Sequence, residues 1–172
     1  MDSSFTKSSS KIVKEQIIEF LKEIPDPEIP VINIVELGIV RDIQISMDQI
    51  SISITPTYMG CPAMKIIEDD IISILKSKGL MNIQIKTILS PSWTTDWISD
   101  EARNKLKGYG IAPPEKASED KGYLFTKGLK TITCPHCNST KTEMKSQFGS
   151  TACKALYICK ACLEPFDYFK CI

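Results

Sequence analysis

Histidine is almost missing from this 172-residue chain, which contains one, His136. A single imidazole leaves little room for a histidine-based catalytic triad or a multi-histidine metal centre. Net charge is missing too: 21 lysines and arginines balance 21 aspartates and glutamates. Nucleic-acid binding, which favours a basic excess, gains no support from that balance. No apolar run approaches the roughly 20 residues needed to span a bilayer. The first ten residues are polar and lack the apolar core of a secretory signal, so 1–10 reads as a flexible tail. No internal repeat is found. Hydrophobic residues are present at 42%, enough for packed cores and too many for a disordered chain.

Cysteine is abundant by contrast, with seven, an odd number. Four of them form two C-x-x-C pairs, Cys134-Pro135-His136-Cys137 and Cys159-Lys160-Ala161-Cys162. Each pair can form a knuckle whose thiolates face one point, and two knuckles make a tetrahedral four-sulfur cage suited to Zn²⁺. The spacer 138–158 is slightly longer than the commonest zinc-ribbon spacing. A rubredoxin-like iron site uses the same ligands, and a redox disulfide is a weaker competitor because two motifs are paired. His136 lies inside a knuckle, which suits a solvent-facing or hydrogen-bonding role better than ligation. The cysteine pattern fits a reducing cytoplasm rather than a secreted disulfide scaffold.

Two domains are expected, an α/β unit over 11–113 and a ribbon over 123–172. The proline-rich, charged stretch 114–122 between them reads as a linker. A first helix runs from Lys11 to Glu23, with Val13, Ile17, Phe20, Leu21 and Ile24 on one face. Pro25, Pro27 and Pro30 then hold the chain extended or looped to Gly38, whose place suggests a positive φ. Strands follow over 39–45 and 50–55, where Ile50, Ile52 and Ile54 alternate with Ser51, Ser53 and Thr55. Met47-Asp48-Gln49 is the expected turn. A second helix runs from the Gly60-Cys61-Pro62 break to Lys78, stopped by Gly79. A third strand covers 82–89, and a last helix runs from Thr95 to Lys107, capped by Thr94 or Thr95. The order α-β-β-α-β-α gives an α+β, two-layer sandwich followed by a small β zinc ribbon.

Within the first domain Cys61 is the one cysteine. Pro62 places it at a helix N-cap, where unpaired N–H groups and the dipole favour a thiolate able to bind a soft metal or attack an electrophile. A buried cysteine acting as a small hydrophobe is an equal alternative. Asp26 and Glu28 stand on the proline-stiffened loop and Glu36 before Gly38. They could assist a metal, although capping a turn is the commoner use. Trp93 and Trp97 suit packing better than ligand stacking. Cys153 and Cys171 could be buried thiols, a second weak metal pair, or ligands to a transient cluster. A ribbon of this size buries too little apolar surface to fold unaided, and four thiolates on Zn²⁺ would supply on the order of 10 kcal/mol.

Asp26-Pro27-Glu28-Ile29-Pro30, Glu36-Leu37-Gly38-Ile39-Val40 and Thr55-Pro56-Thr57-Tyr58-Met59-Gly60-Cys61-Pro62 resemble the signature of the metal–sulfur-cluster biosynthesis family, which includes SufT-type bacterial proteins. With Ser92-Trp93-Thr94-Thr95-Asp96-Trp97-Ile98 and the tail from Phe148 to Cys171, residues 11–172 resemble an accessory family of bacterial phenylacetate-degradation operons. The resemblance implies the α/β sandwich of iron–sulfur-cluster-assembly proteins, a reactive cysteine at Cys61, and transient handling of iron or a cluster with Asp26 and Glu28 nearby. It implies as client the multicomponent oxygenase that epoxidises phenylacetyl-CoA, through its iron–sulfur reductase component. The usual short form of the family lacks the ribbon, whose role is therefore not inherited. A non-catalytic structural subunit of that oxygenase is the competing expectation, and a thiol enzyme using Cys61 a weaker one. No Glu-x-x-His pair for a di-iron site and no flavin or nicotinamide fingerprint is present.

Overall fold

A computed structural model describes residues 13–47, 49–114 and 132–170. The expected tail 1–10, nearly all of the linker and Cys171 lie outside those residues, as does the start of the first helix.

Helix α1 spans Lys14–Leu21, shorter than the periodicity predicts. Strands β1 (Val40–Ile45) and β2 (Ile50–Ile54) pair antiparallel, and β3 (Ile83–Thr87) lies parallel to β2 on its other edge. Helix α2, Ala63–Ser77, makes the crossover between β2 and β3. Its Ile67, Ile71 and Leu75, spaced by four, are fully buried with Ile17 and Leu21 of α1, as expected of an apolar stripe laid on a sheet. Gly79 ends α2 at φ +86°, a conformation only glycine adopts without cost.

The proline loop 25–39 belongs to this core. Ile29, Ile32, Ile34, Leu37 and Ile39 are all buried. Its polar groups are satisfied locally: Asn33 Oδ1 accepts from the N–H groups of Val35 and Glu36, and the Glu36 carboxylate accepts from Asn33 N–H at 3.0 Å. Gly38 sits at φ +74°, and a Cβ there would lie 2.6 Å from the Trp97 carbonyl oxygen.

The single last helix expected from Thr95 is two elements. Thr95–Trp97 forms one 3-10 turn capped by Thr94, and α3 (Asp100–Gly108) begins anew with Ser99 Oγ accepting from Ala102 N–H. Two capping residues a few positions apart each close their own turn, so the chain restarts rather than continues. A β-bulge at Arg41 in β1 turns that side chain onto the Trp97 ring, 3.4 Å from its centroid.

Chain after α3 joins the other sheet. Strand β4, Ile111–Ala112, pairs parallel with β7, and the sheet order is β4-β7-β6-β5, with β5 Thr142–Ser146, β6 Lys154–Cys159 and β7 Pro165–Phe169. The body thus lends its final strand to the ribbon. The ribbon has its own small core of Ala112, Ile132, Ala155, Tyr157 and Phe166, while Phe169 and Cys153 are buried in the core of the body. Phe169 meets the edge of Trp93 with ring centroids 6.0 Å apart, and the Trp93 indole N–H donates to the Leu37 carbonyl at 3.0 Å. The two units expected on either side of a linker are packed together. Among the described residues no helix is long and apolar enough to cross a membrane.

Candidate metal-handling sites

The two C-x-x-C turns are built alike. Asn138 N–H donates to the Cys134 carbonyl and Leu163 N–H to the Cys159 carbonyl, each at 2.9 Å. Asn138 and Leu163 both take positive φ, at 59° and 66°. Cys134 N–H reaches the Ser139 carbonyl, as Cys159 N–H reaches that of Glu164. This repeated turn points both sulfurs of each pair inward, and the sulfurs of Cys134, Cys137, Cys159 and Cys162 all lie within 4.8 Å of one another. Two cross-knuckle separations are 3.8 Å (Cys134–Cys162) and 3.5 Å (Cys137–Cys159). A tetrahedron with Zn–S bonds of about 2.3 Å has sulfur–sulfur edges of about 3.8 Å, so the cage fits one such ion. Backbone N–H groups of Cys162 and Ala161 point at Cys159 and, with the neighbouring sulfurs, hold its thiol down to about 6. Cys162 receives the Glu164 N–H, but burial and the adjacent sulfurs outweigh it and push that thiol up to about 12. Four sulfurs that cannot all ionise unaided are what a divalent cation would relieve. His136 is exposed and stays off the cage. Its ring lies against Gly110, where a Cβ would come within 3.0 Å of Cε1.

The second constellation lies at the seam between body and ribbon. Cys61 precedes the N-cap of α2, which is Pro62 rather than Cys61 as the sequence suggests. Proline supplies no N–H, and the chain turns into the helix one residue later. The sulfur still accepts from the Ala63 N–H and from the Tyr58 hydroxyl. Burial outweighs both and raises the thiol above its ordinary value, so the helix end does not deliver the activated thiolate expected of it. Cys61 is half-buried and lines a small, partly open cavity with Asp26, Glu28, Met64, Cys153 and Phe169.

Asp26 and Glu28 therefore meet Cys61, and their duties differ. Asp26 is 5% exposed, and its Oδ1 accepts from the N–H groups of Glu28 and Ile29 at 3.0 and 2.8 Å. Burial raises its pKa despite those bonds. It shapes the loop, whereas Glu28 reaches across the seam. The Cys153 thiol donates to Glu28 Oε2 at 3.2 Å, and Thr151 Oγ1 lies 3.0 Å from the same sulfur. Burial pushes the Cys153 thiol up to about 12. Lys154, itself buried, donates to the Glu28 carbonyl and to Ser150 Oγ at 3.1 Å each, tying the ribbon to the loop. Glu36 stands apart in an ion pair with Lys105 at 2.5 Å.

Tyr58 and Lys154 make contacts here that sequence reasoning misses. Tyr58 stands three positions before Cys61, a spacing that a tight turn folds back onto the thiol. A lysine beside Cys153 gives no such signal, because its carbonyl partner is 126 residues away.

Comparison with known proteins follows the same division. Residues 14–85 match the family described as iron-sulfur cluster assembly protein, and residues 120–170 match the PaaD zinc beta ribbon domain. An Escherichia coli K12 protein, provisionally named as one of the subunits of 1,2-phenylacetyl-CoA epoxidase, is 45% identical over 91% of this chain and 92% of its own length. The Fe-S protein maturation auxiliary factor of Porphyromonas gingivalis is 34% identical over 54% of this chain and 90% of its own. A solved DUF59 domain from Bacillus anthracis, of unknown function, superimposes with a TM-score of 0.51 at 26% identity, covering 54% of this chain and 89% of that one.

Proposed function

Since this chain belongs to the PaaD family, an iron–sulfur cluster assembly domain carrying a zinc ribbon, we propose that it is an accessory maturation factor of phenylacetate catabolism. It assists iron–sulfur cluster assembly on the multicomponent phenylacetyl-CoA epoxidase, with the iron–sulfur reductase component as client, and works in the reducing cytoplasm. It catalyses no step of the epoxidation itself. The observation that carries this reading is the separation of two kinds of sulfur. Four thiols are caged together in the ribbon, while Cys61 stands half-buried in a cavity with two carboxylates.

Each part has a duty in this scheme. Cys134, Cys137, Cys159 and Cys162 hold a permanent zinc ion that folds the ribbon. Cys61 takes up iron or a cluster as cargo and gives it up again. A raised thiol pKa suits that use, because a sulfur that readily takes back a proton releases its metal more easily than a permanent thiolate. Glu28 supplies an oxygen ligand beside it, and Asp26 positions Glu28. Anaerobic purification with metal analysis tests the division. Cys61→Ser should lose iron and keep zinc, and Cys159→Ser should lose zinc. Equal iron in wild type and Cys61→Ser removes the central residue from the proposal.

A second reading has one observation in its favour, the epoxidase name of the Escherichia coli relative. A structural component would co-purify stoichiometrically with the catalytic ones. Full epoxidase activity of a matured complex stripped of this chain rejects it.

A further inference from the structure

The cavity beside Cys61 has walls from both domains. Its sulfur donors are Cys61 of the body and Cys153 of the ribbon, its oxygen donors Asp26 and Glu28, and the rest of its lining is largely apolar. We infer that Cys153 is the second sulfur ligand of the cargo site, so that Cys61, Cys153 and the Glu28 carboxylate together take one thiophilic divalent ion, iron(II). This rests on the maturation role of Cys61 and adds to it a ligand that the ribbon alone can supply.

Several independent contacts point to this assignment. The Cys153 sulfur already engages Glu28 Oε2 at 3.2 Å, so two of the three donors are in register across the seam. Tyr58 adjoins the third: its hydroxyl bonds to Cys61, and its carbonyl accepts from the Cys61 N–H at 3.3 Å. The ribbon is held at this spot by the Lys154 ammonium on the Glu28 carbonyl and by Phe169 on Trp93. Backbone reinforces the placement, because Lys170 N–H donates to the Cys153 carbonyl at 2.9 Å. The thiol–carboxylate contact pairs two of the donors, and the other contacts hold the ribbon against the loop that carries Glu28.

Donor chemistry decides the ligand class. Two thiolates and one carboxylate in an apolar lining suit a borderline or soft divalent ion, and oppose calcium or magnesium. Loading exchanges one M²⁺ for the two thiol protons. The pocket then carries the same net charge as when only Glu28 is ionised, which spares the interior an uncompensated charge. Among the described residues only the four ribbon cysteines already stand as three or more donors within 4.8 Å of one another. The seam site must close around its ion by a movement of Cys61, which befits cargo that arrives and leaves.

The test uses the full chain with its ribbon saturated with zinc, titrated anaerobically with iron(II) and read at the iron absorption edge. Wild type should bind one iron with two sulfur scatterers and oxygen completing the shell. Cys153→Ser should retain one sulfur scatterer and bind iron at least about 10-fold more weakly, with zinc unchanged. Unchanged affinity and sulfur count in Cys153→Ser, with binding lost in Cys61→Ser, overturns the role of Cys153 and leaves that of Cys61 intact. Wild-type iron carrying one sulfur, or none, or no iron bound at all, overturns the inference without any variant. That measurement stands even if Cys153→Ser fails to fold.

Discussion

Removing the Phe169 side chain should uncouple ribbon from body while leaving both folded. Phe169 is 1% exposed, lies at the end of β7, and contributes its ring to the core of the body rather than to that of the ribbon. A buried phenylalanine truncated to alanine costs about 3–5 kcal/mol. Most of the ring's partners lie across the seam, so most of that cost falls on docking. At 1.4 kcal/mol per tenfold, undocked molecules should become between about one hundred and a few thousand times more frequent. Cys153 reports the event directly, since it is 3% exposed when docked and free to react when not. The assay is maleimide labelling of Cys153 followed by mass spectrometry, under conditions where zinc content and helical circular dichroism match wild type. Cys153 labelling in Phe169→Ala should accelerate toward that range. A rate within about threefold of wild type would refute the docking argument, since threefold corresponds to well under 1 kcal/mol.

Gly38→Ala should destabilise the body by at least about 1–2 kcal/mol, the left-handed cost alone, with the approach to Trp97 adding to it. A urea midpoint equal to wild type would contradict this. Stripping the ribbon with a strong chelator should abolish its sheet signal and shift Trp93 fluorescence as Phe169 departs, while the helical signal of α1 and α2 persists. Loss of helix and ribbon in one step would mean that the body does not stand alone. Alkylation of Cys61 in the metal-free chain should keep accelerating as pH rises through 9.0 and beyond, because burial raises the thiol above that ordinary value and the thiolate is the attacking form. A plateau below pH 9 would show an activated thiol instead.

Local order is legible wherever one period or one turn residue decides it. The stripe Ile67, Ile71, Leu75, the alternation in β2, the stop at Gly79 and the two knuckles all follow from neighbours within four residues. The last helix divides because Ser99, directly before Asp100, is a second cap that the apolar periodicity does not show. The placement of Cys61 before the cap rather than on it depends on a single residue of turn geometry, finer than spacing resolves. Least legible is the seam. Pairing of Ile111 with Asp167, Lys154 with the Glu28 carbonyl and Cys153 with the Glu28 carboxylate joins residues far apart in the chain, and no pattern within a window reveals them. A proline-rich, charged stretch suggests separation of two units whose apolar ends, Phe169 and Trp93, in fact bury each other.

The function proposed for this chain turns on Cys61 delivering iron or a cluster to its client. The decisive quantity is the cluster content of the epoxidase's iron–sulfur reductase, purified from cells carrying wild type, Cys61→Ser or no copy of this chain. Iron, acid-labile sulfide and visible absorbance should be full with wild type and equally low in the other two, with the reductase polypeptide equally abundant in all three. A reductase carrying its full cluster in cells that hold only Cys61→Ser would show that Cys61 delivers nothing.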